Sequence, residues 1–208
     1  MTSNAQEYLN KNFADKNSTK IILDLYYSAS RGLFGDLTLQ DYPNLEEISL
    51  ADQELTSLAI INCPHLKSLN VRQNKLTKLE LAQVQIDQLG QPTANQISEI
   101  IAGQNELTRL TLTTCSQLKK LMVPDNPLLT EIKGLNWAAI KQLNITNTLV
   151  NLATDFEQLQ AENKRLYQAL RRVDEAGIEK KLILTEAIQT AKQAEEAIKR
   201  HLKKTEQE

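Results

Sequence analysis

The chain has 208 residues, 24 of them basic and 26 acidic, and its formal charge of -2 gives no global pull toward nucleic acid or an anionic membrane. Its two cysteines, Cys63 and Cys115, suggest no disulfide framework. The opening MTSNAQEYLNKNFADKNSTK has no secretory apolar core, so an intracellular, cytoplasmic setting is expected. No apolar run approaches the roughly 18 residues that cross a bilayer, so no membrane span is expected.

In chain order, residues 1–20 carry AQEYLNKNF and precede the first repeat. Periodicity then dominates. Leu66, Leu69, Val71, Asn74, Leu76, Leu79 and Leu81 recur as Ile97, Ile100, Ala102, Asn105, Leu107, Leu110 and Leu112. An earlier copy begins at Leu45 (Ile48, Leu50, Gln53, Leu55, Leu58, Ile60), and later ones begin at Leu118 and Ile140. The starts are spaced by 21, 31, 21 and 22 residues, and the surplus falls in the polar QVQIDQLGQPTA, a loop insertion near 83–94. Cys63 and Cys115 share one repeat slot and are expected to be small buried core residues.

A 21-residue unit with a Leu-x-Leu strand cannot shield its apolar face alone, and stacking of successive units shields it. Gln53, Asn74, Asn105, Asn126 and Thr148 fall where the chain turns away from the strand, so stacked polar side chains can satisfy backbone groups there. Three departures stand out: Ala102 replaces a larger residue, Pro124 interrupts a strand edge, and an extra residue in NPLLTEI moves Ile132 off its expected position. The last two units are therefore expected to be less regular.

These residues match LxxLxLxxNxLxxLxL, and the stretch from about Ile21 to Val150 resembles the leucine-rich-repeat family in its short, intracellular form. The resemblance implies an N-terminal helical cap over 1–20, with AQEYLNKNF, and a curved solenoid whose usual activity is protein recognition. The expected fold class is α+β: a strand-rich solenoid over 21–151, then long C-terminal helices over 152–208, as a coiled coil or a hairpin.

Side chains alternate along a strand, so the residue between the two apolar positions points outward, onto the concave side of such a solenoid. That column is expected to hold Asp24, Ser49, Asn70, Ile101, Met122 and Asn144, with Ala51, Arg72, Gly103, Pro124 and Thr146 in the next. Ile101 and Met122 come from consecutive repeats and would form an apolar spot flanked by Lys120 and Arg72, suited to a protein or peptide. Scattered exposure, or cover by the 83–94 loop, is the plainer account.

Past Leu152 the pattern becomes a heptad: Leu152, Phe156, Leu159, Asn163, Leu166, Leu170 and Val173. Thr154 and Glu157 have the form of a capping box, placing the helix start near 155 with Leu152 just outside. Asn163 at an a position favours a parallel homodimer through this seam. A second stripe, Leu184, Ile188, Ala191, Ile198 and Leu202, follows Gly177, so an intramolecular hairpin or a docked helix stays open beside the dimer.

No phosphate loop, dinucleotide fingerprint, HExxH or CxxC occurs, so no catalytic residue, cofactor or metal is expected. His65 and His201 read as surface histidines, and Trp137 as a cap on the last repeats. The basic Lys199, Arg200, Lys203 and Lys204 are diluted by Glu195, Glu196, Glu206 and Glu208, so nucleic-acid binding is not expected. The expected function is a non-enzymatic protein-interaction scaffold whose tail self-associates or docks. The alternative is a structural oligomerisation element with the solenoid as its cap.

Overall fold

The leucine spacing becomes two columns of short parallel strands. The structure, a computed structural model, describes residues 3–23, 32–82 and 95–152, and in the tail 157, 160–161, 164–165, 185, 187–196 and 198–199. Strand β1 (Ser3–Asn4) and helix α1 (Ala5–Asn12) open the chain. There follow β2 (Lys20–Ile22), β3 (Leu33–Gln40), β4 (Glu47–Ser49), β5 (Glu54–Ile61), β6 (Ser68–Asn70) and β7 (Lys78–Ala82). The second half adds β8 (Glu99–Ile101), β9 (Arg109–Thr111), β10 (Lys120–Met122), β11 (Glu131–Lys133) and β12 (Gln142–Asn144).

One column is a six-stranded sheet in the order β12-β10-β8-β6-β4-β2; the other comprises β1-β3-β5-β7 and the pair β11-β9. Together they make a β-solenoid of about five turns. Its core repeats in register: Ile21, Ile48, Leu69, Ile100 and Leu121 are partners across five neighbouring strands, and all are fully buried. Burial of each such side chain is worth about 1.5–3 kcal/mol relative to exposure, which explains why one register dominates. The 31-residue spacing does not disturb this sheet, because β6 and β8 still pair directly, Leu69 opposite Ile100. In the chain the surplus residues come after β7, a strand of the other column.

The polar ladder forms as the repeat requires. The Oε1 of Gln53 accepts the Leu33 N–H at 2.7 Å, and the Oδ1 atoms of Asn74, Asn105 and Asn126 accept those of Leu55, Leu76 and Leu107 at 3.0–3.1 Å. Each asparagine Nδ2 then donates to carbonyls of its own and the preceding turn, as Asn126 does to Val123 and Ala102. Immediately before the ladder lies a second column, Asp52, Gln73, Gln104, Asp125 and Asn147, all with φ between 54 and 58°. This left-handed step turns the chain between the two columns; Asp52, Asp125 and Asn147 are of the type that tolerates it best, and Gln73 and Gln104 adopt it as well.

Among the described residues of 1–20, helix is confined to α1, begun by Asn4, whose Oδ1 accepts the Glu7 N–H at 3.1 Å. Tyr42 pins the segment after it: its hydroxyl donates to the Phe13 carbonyl at 2.9 Å, and the Lys16 ammonium sits 4.1 Å from its ring centre. Tyr42 occupies the slot three residues before a repeat start that Cys63 and Cys115 occupy later. Both cysteines are buried, and burial pushes their thiols above the ordinary range.

Two expected irregularities resolve differently. Ile132 is in register opposite Leu110, because the surplus residue is absorbed earlier: Leu129 takes the buried place and Leu128 is turned out, 53% exposed. Pro124 interrupts no ladder, since Val123 and Asp125 supply the donors to Asn144 and Thr146 in the next turn. The last turn is the less regular one. Leu143 and Ile145 are only half-buried, and Thr148 bonds within its own turn, to the Ile145 carbonyl at 2.7 Å.

The chain divides into two compact units, the solenoid (Met1–Leu135 with Lys141–Val150) and a second built from Asn136–Ile140 and Asn151–Glu208. In the second unit, the described residues beyond 151 are all helical, and the longest continuous stretch is the helix over 187–196, α2. Leu152 is helical and buried, so it does not lie outside the helix as the capping box suggested. The heptad positions Phe156, Leu159, Asn163, Leu166, Leu170 and Val173 lie outside the described residues, so the long coiled coil is not among what the structure shows.

Candidate recognition face

The six-stranded sheet turns three columns of side chains away from the core. The first is Lys20, Glu47, Ser68, Glu99, Lys120 and Gln142, the leading residues of the six strands. Two ion pairs bridge neighbouring turns here, Lys20 with Glu47 at 2.5 Å and Lys120 with Glu99 at 2.6 Å. The Glu47 carboxylate, by hydrogen bond and by charge, holds the Lys20 ammonium above its ordinary range. Solvent screening keeps the contribution of such exposed pairs small, but they leave the column nearly neutral.

The second column is the one the alternation singled out, with two corrections. Ile22, not Asp24, is the partner of Ser49, and Ile22 is 48% exposed; Asp24 itself lies outside the described residues. Ser49 was expected on the surface but is 7% exposed, and its Oγ receives the Asn70 Nδ2 at 3.3 Å. Ser49 therefore offers almost no accessible surface. Asn70 and Asn144 are present at the expected places, each folded onto its own turn: Asn70 Oδ1 accepts the Arg72 N–H, and Asn144 Oδ1 accepts both N–H and Oγ of Thr146. Their role is local backbone satisfaction.

Ile101 and Met122 meet as expected. They are direct partners across β8 and β10, and both are half-buried. Neighbouring strands lie about 4.8 Å apart, so the two side chains form one continuous apolar strip. Beside it the third column is mixed: Ala51 and Gly103 are buried, Pro124 is half-buried and Thr146 exposed, and a Cβ added to Gly103 would stand 2.9 Å from Pro124 Cδ. Pro124 thus fills the space a side chain at 103 would need. Arg72 is exposed at the edge, 3.7 Å from Asp52.

The second sheet presents different chemistry. Asp36 accepts from Thr56 Oγ1 and Ser57 Oγ, each at 2.7 Å, and these two bonds hold its carboxyl below the usual range. His65 is exposed and shares a 3.2 Å contact with Gln96. His201 lies outside the described residues. Among the described residues no cluster of three or more metal-ligating side chains occurs, and no helix is long and apolar enough to cross a membrane.

The left-handed column and Tyr42 escaped the sequence reading. The former was legible as the D, Q or N that precedes each ladder residue, and the latter as the counterpart of the two cysteines. Compared with protein-family models, curated protein sequences and solved structures, the chain matches none.

Proposed function

We propose that the chain is a non-enzymatic recognition module of the leucine-rich-repeat type, working inside the cell. The outward face of its six-stranded sheet takes a protein or peptide partner. The observation that carries this is the in-register pair Ile101 and Met122, half-buried beside the neutral Glu99–Lys120 bridge and the flat Gly103–Pro124 step. An apolar centre with a polar rim is the usual anatomy of a protein interface. The helical tail serves self-association or docking.

The test is affinity purification with the full chain carrying Ile101→Asp and Met122→Asp together, against a control with Leu149→Asp, an apolar residue 62% exposed outside this face. Specific partners drop at least tenfold for the face variant and stay for the control, with melting temperatures of all three chains close together. Undiminished capture by the folded face variant would remove the proposal.

A further inference from the structure

The described part of the tail's second stripe is largely buried. On α2 and its continuation at 198–199, Ile188, Ala194 and Ile198 are buried and Ala191 and Glu195 half-buried, while Thr190, Lys192, Gln193, Glu196 and Lys199 are exposed. At 100° per residue the covered positions fall within about 120° of the helix circumference and the exposed ones on the opposite side. An isolated helix leaves every outward side chain partly wet, yet Ile198 is 0% exposed.

Within the same compact unit lies a segment that sequence order would not have joined to the tail, Asn136–Ile140, inserted between β11 and β12. It carries two large apolar residues, Trp137 and Ile140, both buried, as is Leu152 at the start of the tail. Trp137 stands three residues before a repeat start, in the slot held by Tyr42, Cys63 and Cys115.

We propose that Trp137 and Ile140 form a seat on which the tail packs in cis, through the stripe Ile188, Ala194 and Ile198. The segment 136–140 is then a clasp for the C-terminal helices, and the stripe is closed to a second copy of the chain unless the tail detaches. The parallel homodimer, if it forms, has to use other residues. This inference stands apart from the recognition face, since neither set of residues overlaps the other.

The chain's single tryptophan reports on the clasp directly. In the full-length protein, Trp137 emission is expected to be blue-shifted, poorly quenched by acrylamide, and unchanged over a hundredfold dilution. Ile198→Asp should shift the emission to the red and raise the quenching constant at least threefold. Gln193→Asp, on the exposed side of the same helix, should match the parent. Ile198→Ala provides a milder truncation with a smaller shift of the same sign if the charged variant unfolds the chain.

A reciprocal arm reads the helix: Trp137→Ala should speed tryptic cleavage at Lys192 and Lys199 at least tenfold while the far-UV signal of the strands persists. Emission indifferent to Ile198 in a folded chain, or unaltered protection in Trp137→Ala, overturns the clasp. So does a red shift of the parent on dilution alone, which would mean that a second copy supplies the cover.

Discussion

The side chain of Asn105 accepts the backbone N–H of Leu76 at 3.0 Å, although 29 residues separate them. Its Nδ2 reaches the Val71, Ala102 and Gly103 carbonyls, so one buried amide ties two turns together on both sides of the insertion. Asn105→Ala leaves one buried donor and several buried acceptors without this partner. Such losses cost about 1–3 kcal/mol per unsatisfied group, and relaxation of the turn recovers part. A destabilisation of about 3 kcal/mol in urea unfolding is expected, against under about 1 kcal/mol for Thr148→Ala, whose hydroxyl bonds only within its own turn.

Gly134 tests the second column of strands. Its φ is +72°, and a Cβ there would lie 2.7 Å from the Thr113 backbone nitrogen and Cα, where no flexible side chain can give way. Gly134→Ala combines left-handed strain with a backbone clash and should destabilise by about 2 kcal/mol or more. A thermal midpoint within 1–2 °C of the parent would mean that the β9–β11 pair adapts more freely than its close approach implies.

The Asp36 carboxyl, held below its usual range by the hydroxyls of Ser57 and Thr56, makes a pH-dependent contribution. A depressed folded value means that the unfolded chain takes up the proton first. The stabilisation is therefore complete above the unfolded value near 3.8 and is lost as pH falls through the lower folded value. Asp36 is exposed, so the effect is small. The gap in urea midpoint between the parent and Asp36→Ala should be largest at pH 6–7 and close toward pH 2, and a gap that widens on acidification would contradict the assignment.

The sequence carried the repeat, the ladder and the inward–outward parity of most strands, because each rests on a local period that the core enforces. Parity failed to give the register in the first unit. There Ile21, Ile22, Leu23 and Leu25 are all apolar, and only pairing with β4 shows that Ile21 faces in and Ile22 out. The same ambiguity attends the adjacent Leu128 and Leu129, of which only Leu129 is buried. The burial of Ser49 depends on its surroundings, among them the Asn70 side chain one turn later, which alternation along a strand does not report. The amphipathic stripe of α2 was legible as a face, but a helical period says nothing about what covers it.

The recognition face is tested most directly by a photoreactive phenylalanine analogue placed at Ile101 in the full chain and, as the opposing control, at Thr111, exposed on the second sheet. Irradiation in cells should give a discrete cross-linked protein band at position 101, abolished by adding Met122→Asp, and no such band at 111. Cross-links confined to 111, or a band at 101 that survives Met122→Asp, would place the partner elsewhere and contradict the assignment of this sheet as the binding surface.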